Sequence, residues 1–183
     1  DYANEVPTEI WKSAMSLPRE LKFIRENDEL KLLQQPIKQL KKLRNKKYEF
    51  ENIKINKKKN KLLKEINSPL EVSSIINLDN KTDFEFKFEF KKNALSLKYN
   101  SEKNKIILNR KNAASDFHHD FREEQTAEID ELNKLKLQIF IDWSSIEIFI
   151  NDGRQLITDL IFPEDEILDL KINNLAEILK IDK

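Results

Sequence analysis

Two adjacent histidines and several near-neighbour carboxylates are the side chains in this sequence best equipped for chemistry. His118 and His119 are the only histidines. Read as part of a strand, neighbouring residues point to opposite faces, so the two rings are not expected to share one metal ion. With no cysteine and no third histidine in the chain, a zinc set cannot be completed. The sequence therefore predicts no metal site. Glu123 with Glu124 and Glu164 with Glu166 supply carboxylates in number. Cleavage of a glycosidic bond with retention requires two carboxyl groups about 5–5.5 Å apart across a cleft, one of them desolvated enough to keep its proton. Both pairs stand in charge-rich, loop-like sequence, where solvation is the expected fate, so the residue types alone nominate no catalytic residue. Trp11 and Trp143 are the only tryptophans. Their faces could stack on sugar rings, although a lone tryptophan in a strand is more often core or interface.

Charge sets further limits. The chain is formally neutral, with 33 basic and 33 acidic residues, but the charge is unevenly spread. Lys38 to Lys64 holds 12 basic residues against Glu49 and Glu51, a balance of +10, whereas Asp116 to Glu131 holds seven acidic residues against Arg122, a balance of −6. A basic stretch of this kind attracts phosphate. It lacks the interleaved aromatics of a single-strand binder and any helix-turn-helix or finger signature, so nucleic acid is not an expected partner. A solvated loop at 56–60, between strands whose edges carry lysine against edge-to-edge association, explains it more simply. No apolar run reaches the roughly 18 residues that a membrane helix needs, so no membrane partner is expected. The absence of cysteine excludes a disulfide framework without fixing a compartment.

The elements that must position these groups read as strands. Phe84, Phe86, Phe88 and Phe90 alternate with Glu85, Lys87, Glu89 and Lys91, and a period of two puts all four rings on one face. Leu95–Tyr99 and Ile106–Leu108 flank a polar turn at 100–104 and predict a hairpin. Asn151-Asp152-Gly153 contains the only glycine and predicts a second hairpin, because Asn, Asp and Gly best tolerate positive φ. Further strands are expected over 48–55, 70–78, 135–142, 145–151, 154–162 and 167–173. Helical character is expected only near Ile37–Arg44 and around 174–180. Length, a 39% hydrophobic share and 11 phenylalanines suit a single core. The mean hydropathy of −0.67 leans toward a highly solvated chain, but the apolar residues come in strand-spaced sets that disordered chains lack. Short strands without intervening amphipathic helices favour an all-β fold, an antiparallel two-sheet β-sandwich.

Four stretches of wording carry a resemblance. Tyr2-Ala3-Asn4-Glu5-Val6-Pro7-Thr8 runs into Trp11-Lys12-Ser13-Ala14-Met15-Ser16-Leu17-Pro18-Arg19-Glu20-Leu21. Gln35-Pro36 precedes Leu40-Lys41-Lys42-Leu43-Arg44. Leu108-Asn109-Arg110 precedes Phe117-His118. Ile139-Phe140-Ile141-Asp142 leads through Ser144-Ser145-Ile146-Glu147-Ile148-Phe149 to Asn151-Asp152-Gly153 and Ile161-Phe162-Pro163. In this order they resemble the C-terminal part of glycoside hydrolase family 32, the invertases, levanases and inulinases. Residues 50–105 match by pattern alone.

The resemblance implies three parts. Residues 1–36 would be a leftover strand segment closing the catalytic β-propeller, 37–46 a short linker and 47–183 the C-terminal β-sandwich. The family's catalytic motifs are an aspartate nucleophile in an Asn-Asp-Pro-Asn-like run, an Arg-Asp-Pro aspartate and a glutamate beside a cysteine; none occurs in this sequence. The chain thus reads as the non-catalytic tail of a fructan- or sucrose-hydrolysing enzyme, inactive alone and without a cofactor. Its implied partners are the catalytic propeller, a fructan or sucrose-type carbohydrate, and a second copy in a homodimer. Tyr2 and Trp11 would reach the sugar pocket only with the propeller present. Asp142 and Glu147 would be structural, with Glu147 satisfying backbone or Arg/Lys groups. Trp143 stands where many family members carry arginine, which puts any charged contact inherited there in doubt. An autonomous fructan-binding module and a basic interaction domain remain the alternatives. The family favours an extracellular or periplasmic location and leaves the cytoplasm open.

Overall fold

A computed structural model describes residues 2–57, 60–78, 82–114, 118–130, 133–176 and 178–182. Its elements in chain order are β1 (Arg19–Glu26), β2 (Glu29–Pro36), a 3-10 turn (Lys38–Leu43), β3 (Ile53–Asn56), β4 (Asn60–Asn67), β5 (Leu70–Asn77), β6 (Phe84–Phe90), β7 (Ala94–Asn100) and β8 (Lys105–Asn112). After a second 3-10 turn (His119–Arg122) come β9 (Gln125–Glu128), β10 (Lys134–Ile141), β11 (Ser145–Ile150), β12 (Gln155–Leu160), β13 (Ile167–Asn174) and β14 (Ile178–Ile181). Every pairing is antiparallel. One six-stranded sheet has the order β12-β11-β10-β5-β14-β3, the other β4-β13-β6-β7-β8-β9, and β1-β2 forms a separate two-stranded sheet.

The two large sheets bury their apolar faces against each other. All four alternating phenylalanines of β6 point inward, with Phe84, Phe86 and Phe88 fully buried and Phe90 at 6% exposure. Phe86 pairs across to Leu97 and Leu97 to Leu108, so one apolar row crosses three strands. On the facing sheet Ile139 pairs with Ile148 on one side and Val72 on the other. Cross-strand neighbours of this kind lie about 4.5–5.5 Å apart at Cβ and are the unit of sheet cohesion. Where β4 meets β13 the register slips between Leu168 and Leu170. Glu65 takes φ 54° there, and its N–H donates to Asp169 Oδ1 at 3.0 Å, which replaces the ladder bond lost at the irregularity.

The all-β two-sheet architecture matches the sequence expectation, and two local readings need correction. Residues 48–55 do not form one strand, since β3 occupies only Ile53–Asn56. The region around 174–180 is not helical: β13 runs on to Asn174, and β14 alternates exposed Ile178 and Lys180 with buried Leu179 and Ile181. Pairing with β3 and β5 decides that segment, because four residues offer a helix too few bonds to outweigh two ladders. The turn before β14 is held by Asn174, whose Nδ2 donates to Ile55 O at 2.6 Å and whose Oδ1 accepts from Ala176 N–H at 2.9 Å.

Candidate functional site

The feature with the clearest functional geometry is the junction where the β1–β2 hairpin docks on the sandwich. It begins at the β11–β12 turn. Asn151, Asp152 and Gly153 all take positive φ, at 49°, 59° and 84°, as the sequence predicted. Asn151 Oδ1 accepts from Lys136 N–H at 3.0 Å and fastens the turn to β10. Gly153 carries a second requirement. Gln34 of β2 lies directly against it, with Gln34 N–H donating to Gly153 O at 3.0 Å. A Cβ at Gly153 would stand 2.1 Å from Gln34 O, an impossible approach to backbone. The only glycine thus permits both the turn and the contact of two segments.

Charged side chains complete the junction. Glu147 of β11 is buried, with its side chain 3% exposed, and lies on the outer face of its sheet. Its Oε1 accepts from Leu17 N–H at 2.6 Å and its Oε2 from Arg19 at 2.8 Å. Arg19 also donates to Thr158 Oγ1 at 2.8 Å and Gln34 Oε1 at 3.2 Å, and its guanidinium lies over the Phe149 ring at 5.8 Å. Glu147 thus satisfies both a backbone group and an arginine, the role expected of it. Farther along, Gln35 Nε2 donates to Asp152 O at 3.0 Å, and Arg154 donates to both oxygens of Glu26, at 2.6 Å to Oε2. The Arg154 hydrogen bonds hold the Glu26 carboxyl below the usual range.

A second anchor holds the chain ahead of the hairpin. Arg110 sits in the inward register of β8 and is 2% exposed. Its Nε lies 2.7 Å from Asp159 Oδ2, out of line for a hydrogen bond, so the contact is an ion pair. Arg110 also donates to Leu160 O at 3.2 Å and Tyr2 Oη at 3.0 Å, and stacks over Phe121 at 4.4 Å. The Tyr2 ring meets Phe121 edge-on at 5.8 Å and His118 at 5.9 Å. Burial pushes the Asp159 carboxyl up to about 6, with Arg110 pulling the other way. This is a raised carboxyl, but its charged neighbour is a guanidinium, so the arrangement is not that of an acid/base pair.

The remaining sequence candidates fall elsewhere. Tyr2 is spent on the Arg110 anchor, while Trp11 is 38% exposed and its carbonyl accepts from the Thr8 hydroxyl. Trp143 is 63% exposed at the β10–β11 turn, where its N–H donates to Asp142 Oδ1 at 2.8 Å. His118 and His119 are not strand neighbours on opposite faces. They start a 3-10 turn, and their rings stack 4.5 Å apart. With Asp120 they place three potential ligand atoms within 4.8 Å of one another, although His118 Nδ1 already accepts from Asp120 N–H at 3.2 Å. Phe117 lies outside the described residues. Glu164 is exposed and paired with Lys92 at 2.5 Å. Of the basic stretch, Arg44 pairs bidentately with Glu71, Lys46 covers Tyr48 and Lys61 covers Phe50. Lys58 and Lys59 lie outside the described residues.

The Arg110–Asp159 pair went unread in the sequence although its signal is plain. Ile106, Leu108 and Arg110 share one period-two register, as do Ile157, Asp159 and Ile161, and each puts a charge of opposite sign among core positions.

Sheet order, the docked hairpin and the buried anchors together define a β-sandwich module that holds a short two-stranded sheet against its outer face. Residues 39–179 match the model of the C-terminal region of glycosyl hydrolases family 32, and the chain belongs to that family. It is 34% identical over 174 residues to a levanase of Bacillus subtilis (strain 168), an alignment covering 89% of this chain and 25% of that protein. Among solved structures, an exo-inulinase from Aspergillus awamori superposes with a TM-score of 0.84 at 20% identity, over 98% of this chain and 37% of the enzyme. A fructofuranosidase from Schwanniomyces occidentalis gives 0.74 at 21%, over 100% and 43%. The chain spans about a quarter of the length of that levanase. The structural likenesses establish the fold.

Proposed function

We propose that this chain is the non-catalytic C-terminal portion of a fructan- or sucrose-hydrolysing glycosidase of the β-fructofuranosidase, levanase or inulinase type. Residues 1–36 form the end of its catalytic propeller, 37–46 the linker and 47–183 the sandwich that props the propeller. One observation carries the reading. The β1–β2 hairpin is clamped to the sandwich, yet Leu21, Phe23, Leu30 and Leu32, farther along the face that carries Arg19 and Gln34, are 61%, 68%, 64% and 40% exposed. Phe23 and Leu32 are direct cross-strand partners, so these side chains form one apolar patch on a sheet of only two strands. A two-stranded sheet is marginal in water by itself, and its free edges and apolar face call for further strands. The remainder of a propeller supplies both. In this arrangement Tyr2 fastens the segment to the sandwich, and Trp11 keeps enough exposed ring to face a sugar pocket completed by the propeller.

The test is to purify this chain and, separately, the catalytic part of the 34% identical levanase. The chain alone should release no fructose from sucrose, inulin or levan, and adding the catalytic part should slow hydrogen exchange in residues 19–36. Fructose release that scales with this chain and vanishes on mutating one of its carboxylates would overturn the reading. So would exchange in the hairpin that is unaffected by a bound propeller.

A further inference from the structure

One covalent reaction needs only the backbone and water, and the junction holds the residue pair that favours it. The nitrogen of a residue that follows aspartate can attack the aspartate Cγ. The carboxyl hydroxyl then leaves with the amide hydrogen as water, and a five-membered succinimide remains. Water reopens the ring at either carbonyl. Opening at the α-carbonyl routes the main chain through Cβ and Cγ, giving an isoaspartate with one extra backbone atom. Glycine hinders the attack least because it has no side chain. With one glycine in the sequence, Asp152-Gly153 is the only Asp-Gly pair, and there is no Asn-Gly pair. The Asp152 side chain is 58% exposed, so water reaches it.

The folded junction holds this pair out of reaction. Asp152 takes φ 59°, in the left-handed region, where ψ lies at about +30 to +60°. At such ψ the Gly153 nitrogen and the Asp152 Cβ stand nearly opposite across the Cα–C bond, whereas ring closure needs them nearly eclipsed. Gly153 N–H also donates to Ile150 O at 3.1 Å, and Lys136 Nζ holds Asp152 Oδ2 at 2.7 Å. Reaching the eclipsed form means swinging the peptide between Asp152 and Gly153, and the carbonyl of that peptide is the one Gln35 Nε2 bonds at 3.0 Å. The next carbonyl, of Gly153, accepts from Gln34 N–H at 3.0 Å. Two neighbouring residues of β2 therefore lock the turn while the hairpin is docked. The fit works in the other direction as well. A single atom added at Gly153 would lie 2.1 Å from Gln34 O, so a main chain lengthened by one atom here has no room against β2.

We propose that Asp152 is a site of backbone isomerisation, closed while the β1–β2 hairpin is docked and opened when it lifts, and that the isoaspartate formed there bars the hairpin from docking again. The junction is thereby a one-way device: each lifting of the hairpin exposes the pair to reaction, and reaction makes the lifting permanent. The contact of β2 with the turn lies within this chain. The gate operates whether or not a propeller precedes Arg19, and its failure would leave the function proposed above untouched.

The test follows isoaspartate at residue 152 by peptide mapping with electron-transfer fragmentation while the whole chain is incubated at fixed temperature and pH. Native protein is compared with the same chain in guanidinium chloride and with two variants. Glu147→Leu removes the carboxylate that holds Arg19, and Gln34→Pro removes the N–H that bonds Gly153. Native protein should form isoaspartate at least tenfold more slowly than the unfolded chain. In a variant whose hairpin has lost hydrogen-exchange protection while the sandwich strands keep theirs, the rate should rise severalfold toward the unfolded one. Protein aged in denaturant and then refolded should show two populations, the fraction unprotected at 19–36 matching the isoaspartate fraction. Native and unfolded rates within twofold of each other would overturn the proposal. So would a variant with an unprotected hairpin that reacts no faster than the parent, or refolded isoaspartate molecules whose hairpin is protected.

Discussion

Arg19 and Glu147, 128 residues apart in sequence, meet at 2.8 Å with the carboxylate almost wholly buried. Their contact converts an outer sheet face into an internal surface. Every residue of β11 from Ile146 to Ile150 is buried, because the inner face meets the opposite sheet while Arg19 and its hairpin cover the outer one. Fixing two long charged side chains costs entropy, and Glu147 recovers it by also accepting the Leu17 N–H.

Removing one member of that pair should therefore be costly. Glu147→Leu strips Arg19 of its carboxylate partner and the Leu17 N–H of its acceptor, and breaking a buried pair in this way costs about 3–5 kcal/mol. The expected outcome is loss of hydrogen-exchange protection in 19–36 with the sandwich still folded. Protection unchanged from the parent would mean that other contacts hold the hairpin.

Gly153→Ala should act on the same interface by a different route. Its φ of 84° is unfavourable for any L side chain, a strain of about 1–3 kcal/mol. The added methyl must also displace the Gln34 carbonyl. Calorimetry should show a lower melting temperature, and exchange should rise at Gln34, whose N–H bonds Gly153 O. A melting temperature equal to the parent's would refute the close approach.

Core truncation has a simpler expectation. Phe86 and Phe88 are fully buried, so Phe86→Ala or Phe88→Ala should lower stability by about 3–5 kcal/mol in denaturant melts. A loss below about 1 kcal/mol would place that face of β6 in contact with solvent.

The pH dependence follows from Asp159. Its carboxyl is raised from 3.8 to about 6, so between those values the folded protein binds more protons than the unfolded chain. Stability should fall as pH rises through that window and then level off above it, by roughly 3 kcal/mol for a shift of this size. Asp159→Asn should flatten this part of the melting-temperature profile. A parent profile that rises from pH 4 to 6 more steeply than that of Asp159→Asn would show instead that the Asp159–Arg110 pair favours the charged form.

Period-two patterning made most of the sandwich legible. The phenylalanines of β6 and the turn at Gly153 are local signals, and local signals survive the absence of coordinates. Two kinds of information did not. The stretch around 174–180 carries no strong local preference, and long-range pairing with β3 and β5 settled the conformation of Ile178–Ile181. The hairpin junction depends on which surface Arg19 happens to meet. Even so, Phe140 and Phe149 in outward registers, and Arg110 and Asp159 in inward ones, were visible departures from alternation. Each marks a place where the sandwich is covered or braced by the segment from Tyr2 to Arg44.

The position of β14 has a consequence for how the molecule is made. The last strand in sequence is not an edge: it lies between β5 and β3, pairing Ile181 with both Ile53 and Ile76. During synthesis β3 has no neighbour in its own sheet until more than a hundred later residues have been made. Its exposed ladder groups must wait, and the lysines at 54 and 57 keep that waiting edge soluble. The sheet is therefore locked by a four-residue strand, and β3 stays without its neighbour until that strand has been made.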